Sequence, residues 1–428
     1  MTFIPKGKMN GTNAEEDLPY QRSLKHIVSL VPKLKQELSV NGKKIKSVRF
    51  VHDEATKGEA QFQSVAVFGT IVREYENSET DNISVIIKMQ ICDESSLKFN
   101  NGGIQFINEV LLYNDFLPYF STVVSDIQDL FPKFVYGYVS TDNRFEDIII
   151  LENLSLEKYR LATSRTQLSL EHILMALRGL GKFHACSYIM KSIDKDTFLA
   201  KVNAVRDIRN WVTDPKDSFQ NFIVKNCERG FKYLASLEEY KDKLDNVRQF
   251  LANPAEWFPR LFEVNDRTSV LCHGDFCRNN MFFKYEDSGR PVNVKFFDMA
   301  TIIHASPVLD IAFFLYLNTG QDQRVQHWDQ MIHSYYDSLK QTCESCHHTV
   351  EFPTYEEILD EFKPKAMLGY LSCSFFLPVM MQKVQEDRSK WGKLNDEEII
   401  QLRLSTSGEE GTKAVGEILK HIIDNGFM

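Results

Sequence analysis

Apolar residues recur with strand-like spacing up to about residue 150 of this chain, and with helical spacing beyond Leu154, save for one β-like interruption at 268–297. No repeat and no low-complexity tract breaks that plan. Behind a polar tail, Leu24, Ile27, Val28, Val31 and Leu34 fall on one helical face. Ser64–Ile71 and Ser84–Gln90 are rich in β-branched residues and bounded by polar turns, so both read as strands, with a charged turn at Glu74–Asn82 between them. Gly102 and Gly103 precede a helical stretch, Phe106–Tyr113, which should stop before Pro118. Phe134–Val139 and Asp147–Leu151 read as two further strands. The pattern predicts an α+β fold: a polar tail and helix at 1–40, a small β-rich N-lobe at 41–153, and a mainly helical C-lobe at 154–428.

In the helical half, Ser169 can cap a helix with apolar positions Leu170, Ile173, Leu174, Leu177, Leu180 and Phe183. Residues 205–262 mix charged and aromatic residues with helical periodicity. The interruption follows: strands at Thr268–Cys272, Met281–Tyr285 and Val292–Phe297, the last two joined as a hairpin by the turn Glu286–Arg290. Helices resume at Leu309–Leu317 and Val325–Leu339, then after a capping box, Thr354-x-x-Glu357. Gly408 and Gly411 should break the chain before a last helix near Lys413–Ile423.

Composition narrows the class. At roughly 150 residues per domain, 428 residues suggest two to three domains. Hydrophobic residues at 43% and charged residues at 25% exclude wholesale disorder. Fifty Lys and Arg against 59 Asp and Glu give a net charge of −9, so no basic footprint points to nucleic acid or an anionic membrane. Eight cysteines fit reduced thiols, and the polar N-terminus has no apolar core of a secretory signal. The longest apolar run, Met367–Met381, contains Pro378 and falls short of the roughly 20 residues a bilayer span needs. The expectation is a cytoplasmic protein; the sequence does not fix an oligomeric state.

The β interruption carries the chemistry. It reads His273-Gly274-Asp275, then Asn280 opening the hairpin, then Asp298 closing it. Phosphoryl transfer from ATP asks for such a set: a carboxylate to orient a hydroxyl proton, and an amide oxygen with a second carboxylate to hold Mg²⁺ on the phosphates. The competing reading is a polar turn, where Asp and Asn bond their own backbone. Lys88 lies inside the apolar run Val85–Met89, where a charge is expensive unless paired, and Glu109 on the following helix is its expected partner. Otherwise Lys88 snorkels from a sheet edge and Glu109 faces solvent. The turn Lys57–Ser64 offers Gly58 and Ser64 to cover phosphates, although no G-x-G-x-x-G occurs in the chain.

These residues resemble the ecdysteroid kinase-like family of insects, within the choline-kinase-like and aminoglycoside-phosphotransferase-like kinases. The resemblance runs from about Gly58 to beyond Tyr316 and includes Ile87-Lys88, Asn108-Glu109-x-x-x-Tyr113, Leu151-Glu152-Asn153-Leu154, Lys182-Phe183-His184-Ala185, His273-Gly274-Asp275, Asn280–Tyr285, Asp298 and Ser306-Pro307-x-x-Asp310-Ile311. It implies a two-lobed, protein-kinase-like fold and an ATP- and Mg²⁺-dependent kinase acting on a hydroxyl of a small molecule, such as an ecdysteroid or another lipophilic or xenobiotic alcohol. It also implies Asp275 as the catalytic aspartate, Asn280 and Asp298 as Mg²⁺ ligands, Lys88 on ATP, the backbone from Glu152 to Leu154 reading adenine, and Asp310 bracing the catalytic loop. The chain departs from the family at Asp298-Met299-Ala300 (usually Asp-Phe-Gln), at Phe276-Cys277 (usually Leu-Trp), at Asn153 (usually Asp) and in a longer Gly58 turn. None of these removes a catalytic group. Two rivals stand beside this reading: a choline- or ethanolamine-type kinase, which would need a cage for a cation, and a silent nucleotide-binding pseudokinase.

Three features are set aside. Cys343-Glu344-Ser345-Cys346-His347 fits a haem-attachment pattern, but without an exported context or further zinc ligands it reads as a solvated loop. His184 reads as a hydrogen-bonded core histidine. The glycosylation acceptors at Asn10 and Asn82 mean little without secretion.

Overall fold

Burial alternates along residues 67–75, the signature of a strand with one face on a core, and that alternation builds the first half of the protein. The computed structural model describes residues 18–39, 43–54, 64–90, 103–142, 146–209, 212–213, 218–382 and 396–428. Five antiparallel strands form one sheet in the order β1-β2-β3-β5-β4: β1 Ile45–His52, β2 Ser64–Tyr75, β3 Thr80–Gln90, β4 Phe134–Tyr138 and β5 Ile148–Glu152. One face packs Val48, Val67, Ile71, Val85, Ile87, Met89, Ile148 and Ile150 against Ile27, Val31 and Leu34 of the N-terminal helical segment. The opposite face receives the alternate side chains, among them Lys88, which pairs in register with Ala66 and Ile149.

Several elements run past their sequence limits. β2 and β3 extend through the expected turn and leave only residues 76–79 to reverse the chain, because Arg73 and Asp81 pair across the two strands at 2.6 Å and carry the ladder outward. The helix Ile104–Leu111 does not stop before Pro118 but continues through a π-helical turn, Leu112–Phe116, into Leu117–Ser121. Proline is tolerated there because it sits in the first turn of that last segment.

The protein divides into two units. The first comprises the chain to Arg160 with Phe282–Ser288 and Lys295–Thr301; the second comprises Leu161–Met281, Gly289–Val294 and Ile302 onward. The second unit is mainly helical. Its helices Leu170–Ala204 and Gln321–Glu344 approach so closely that a Cβ at Gly181 would collide with the Tyr335 carbonyl. Val308–Asn318 is buried on every side, as expected of a core helix without an amphipathic face. An α+β architecture with a β-rich N-terminal part and a mainly helical C-terminal part is what the periodicity predicts.

The β interruption is not one sheet. β7 (Val270–Cys272) pairs antiparallel with β10 (Ile303–Ala305), a strand the periodicity missed because three residues carry no period. β8 (Met281–Tyr285) and β9 (Pro291–Phe296) join the short β6 (Tyr159–Arg160) in the order β6-β8-β9. Their turn is relieved by Gly289 at φ 84°.

Local signals fared unevenly. Thr354 and Glu357 form both bonds of the expected capping box, at 3.2 and 2.7 Å. Ser169 does not cap its helix, because its hydroxyl pairs with His172 Nδ1 at 2.7 Å. Gly408 and Gly411 do not break the last helix but lie inside Gly408–Asp424, where a Cβ at Gly411 would crowd the Arg229 guanidinium and the Thr406 carbonyl. Cys343 belongs to the last turn of its helix and is buried, so only the residues after it form the expected exposed connection.

Candidate active site

In the first unit, β3 aims Lys88 away from the apolar core. Its ammonium donates to Glu109 Oε2 at 2.6 Å and to Asp298 Oδ1 at 2.9 Å. The sequence expectation of a Lys–Glu pair holds, and the snorkelling alternative does not. Burial works against the charge on Lys88, yet Asp298 and Glu109 together hold its pKa above the ordinary lysine value. Burial also pushes the Glu109 carboxyl up, with Lys88 pulling it back. Glu109 Oε1 and the Tyr113 hydroxyl, both buried, lack hydrogen-bond partners. Asp298 itself has φ 61°, a left-handed conformation uncommon outside glycine.

Ser64 opens β2 opposite Gln90 and shares the Lys88 face by alternation. Gly58 lies outside the described residues. At the end of β5, Glu152 N–H donates to the Lys133 carbonyl at 2.9 Å, and Asn153 N–H donates to the Ser84 carbonyl at 2.9 Å. The Asn153 side chain accepts from Ser155 N–H at 3.1 Å and donates to Ser84 Oγ at 3.2 Å, so the connector is pinned on both sides. Leu154 follows it, buried.

In the second unit, β7 delivers His273-Gly274-Asp275 to a tight turn, with Gly274 at φ 81°. Asp310 organises it: Oδ2 accepts from His273 N–H at 2.6 Å, Oδ1 accepts from Gly274 N–H at 2.8 Å, and His184 Nε2 lies 3.2 Å from Oδ2. His184 Nδ1 pairs with the Tyr335 hydroxyl at 3.0 Å, and burial lowers its pKa despite Asp310. His184 is therefore a core histidine. His184, Cys272 and Asp310 offer ligand-type atoms within 4.8 Å of one another, but the Asp310 oxygens are already committed to the loop amides, so the cluster acts as a hydrogen-bond hub.

The loop then closes on itself. Asn280 Nδ2 donates to the Asp275 carbonyl at 2.9 Å and to Asp275 Oδ2 at 3.0 Å. This leaves Asn280 Oδ1 buried and unpartnered, an oxygen of the type a hard cation takes. That atom, beside a carboxylate, fits the Mg²⁺ expected from the sequence. Arg278, which sequence reasoning passed over, reaches back so that Nε donates to the Ala162 carbonyl at 3.0 Å while Nη1 donates to Asn279 Oδ1 at 2.8 Å. No motif could have flagged it, since its acceptor is a main-chain oxygen far away in sequence. The structure thus brings Lys88, Glu109 and Asp298 together in one unit, and Asp275 with Asn280 in the other.

The family model for the ecdysteroid kinase-like family matches residues 63–348. No curated protein sequence matches the chain. Among solved structures, an ethanolamine kinase of Plasmodium vivax is similar at a TM-score of 0.39 and 11% identity, covering 95% of this chain and 88% of that one.

Proposed function

The chain belongs to the ecdysteroid kinase-like family and is a small-molecule kinase, and from that premise we propose that it moves the γ-phosphoryl group of ATP, with Mg²⁺, onto a hydroxyl of a lipophilic alcohol such as an ecdysteroid or a xenobiotic. The observation that carries the reading is the paired set of buried groups: Lys88 bridging Glu109 and Asp298, and Asp275 tied to Asn280.

Lys88, fixed by Glu109, takes the phosphates; a permanently charged ammonium suits that task. Asn280 and Asp298, the ligands the family resemblance implies, would hold Mg²⁺, which when bound would neutralise phosphate charge. Asp275 accepts the proton of the acceptor hydroxyl as the oxygen attacks phosphorus. Its carboxylate stays oriented because Asn280 holds one of its oxygens and its carbonyl, while Asp310 braces the His273 and Gly274 amides just before it. Glu152 to Leu154 read adenine by main-chain contacts, with the Asn153 side chain stiffening the segment, and Gly58 and Ser64 cover the phosphates.

A lipophilic acceptor is supported by the second unit, where Phe219, Phe222, Phe375 and Phe376 form linked ring contacts at 4.5–5.8 Å and keep part of their surface exposed. Six of the seven free cysteines among the described residues are buried thiols, which supports a reducing, cytoplasmic setting. No helix among the described residues is long and apolar enough to cross a membrane. The test is Mg²⁺-ATP turnover against ecdysone, choline, ethanolamine and xenobiotic alcohols. Phosphorylated ecdysteroid or xenobiotic product supports the proposal. Product from choline or ethanolamine alone assigns the amino-alcohol reading, and nucleotide binding without any product makes the protein a pseudokinase.

A further inference from the structure

We propose that Asn108 is a positioning residue that locks the Asp298 turn in its metal-ligating form. The inference rests on the reading of Asp298 as a Mg²⁺ ligand. Only four non-glycine residues among those described adopt positive φ, and Asp298 is one of them, at 61°. Such a conformation persists where surrounding contacts over-determine it, and at functional sites that strain belongs to the mechanism. One contact reaches this turn directly from the helix Ile104–Leu111, and the same helix supports another made by Lys88 of β3. Glu109 holds Lys88, whose ammonium holds the Asp298 carboxylate at 2.9 Å. Asn108, the residue before it, donates Nδ2 to the Ala300 carbonyl at 3.2 Å. Successive helical residues point about 100° apart, so Asn108 reaches the Ala300 end of the turn directly while Glu109 acts on the Asp298 end only through Lys88.

Residue type supports the assignment. Asparagine is a poor choice inside a helix, and Asn108 is wholly buried at 0% exposure, so its amide has a specific employment. An apolar side chain there would serve packing alone. Without the Nδ2 donor the Ala300 carbonyl is released, the turn relaxes toward negative φ, and the Asp298 carboxylate leaves Lys88. Asn108 therefore acts on the metal through Asp298, as outer-shell partners of metal ligands do.

The test is Mn²⁺ binding, read by electron paramagnetic resonance in the presence of a non-hydrolysable ATP analogue, on the full-length chain. Asn108→Leu removes the donor at similar volume. Asn108→Asp keeps the shape and serves if the first variant does not fold. Either should weaken Mn²⁺ binding roughly tenfold and raise the half-saturating Mg²⁺ for turnover in parallel, with nucleotide affinity measured without metal unchanged. Wild-type Mn²⁺ affinity in a variant that has only lost thermal stability would overturn the proposal and leave Asn108 a packing residue. Asp298→Asn separates the two readings. If that control abolishes Mn²⁺ binding while Asn108 variants bind normally, only the positioning role fails; if it binds normally, the ligand assignment of Asp298 fails.

Discussion

Lys88 Nζ donates to Asp298 Oδ1 at 2.9 Å across 210 residues of sequence. The same ammonium donates to Glu109 Oε2, so one cation faces two carboxylates in a place nearly closed to solvent. Removing one partner of a buried ionic cluster leaves uncompensated charge and costs about 3–5 kcal/mol. Lys88→Met should therefore lower unfolding stability by about that much, and Lys88→Met/Glu109→Leu should recover part of the loss. Urea denaturation of the three proteins checks this, and neither variant should transfer phosphate. If the single variant is as stable as wild type, the cluster is not the buried charge centre described.

Asn280 Nδ2 donates to both the carboxylate and the carbonyl of Asp275. Asn280→Ala should cut kcat by roughly 100-fold, with partial recovery as Mg²⁺ is raised, since a ligand and an orienting donor are lost together. A Mg²⁺ titration of turnover tests the proposed ligand role and the orienting role together. A change confined to the KM for ATP would show that Asn280 serves the nucleotide instead.

The Asp310 carboxylate accepts hydrogen bonds from the buried His273 amide and the half-buried Gly274 amide. Asp310→Ala leaves both without an acceptor, at about 1–3 kcal/mol each. Unfolding stability should fall by about 2–6 kcal/mol, and kcat should fall with it because Asp275 follows directly in the chain. Thermal and urea unfolding, alongside single-turnover rates, test the link between brace and chemistry.

Stability should also depend on the acid side of neutrality. Burial, aided by Arg324, lowers the His421 pKa to about 3, and burial lowers His304 to about 4, against about 6.5 in the unfolded chain. The unfolded state therefore binds more protons, so stability is full above pH 6.5 and is lost as pH falls toward the folded values. Between pH 6.5 and 5, His421 alone should account for about 2 kcal/mol. Urea midpoints across that range should fall for wild type and fall less steeply for His421→Gln. Parallel slopes would contradict the buried, neutral state of this imidazole.

Long periodic segments were legible in the sequence, and so were charged residues placed where a charge needs a partner. Lys88 announced itself as a cation inside Val85–Met89, and Glu109 answered it from the next helix. That Asp275 and Asn280 share one loop was legible from the order of His273-Gly274-Asp275 and Asn280. Contacts made by main-chain atoms were not. Arg278 on the Ala162 carbonyl and Asn108 on the Ala300 carbonyl involve acceptors that every residue possesses, so no side-chain pattern marks them. β10 was missed because Ile303–Ala305 is too short to show a period, and its pairing with β7 is tertiary. Ser169 failed as a cap because His172, one turn on, competed for its hydroxyl.

The most direct measurement is transfer itself, followed by phosphorus NMR with Mg²⁺-ATP and a panel of ecdysteroid and xenobiotic alcohols, for wild type and Asp275→Asn. The account predicts a phosphomonoester with stoichiometric ADP from wild type. It predicts a rate at least roughly 100-fold lower from Asp275→Asn, with ATP bound about as tightly in both. An Asp275→Asn protein that forms product at the wild-type rate would contradict it.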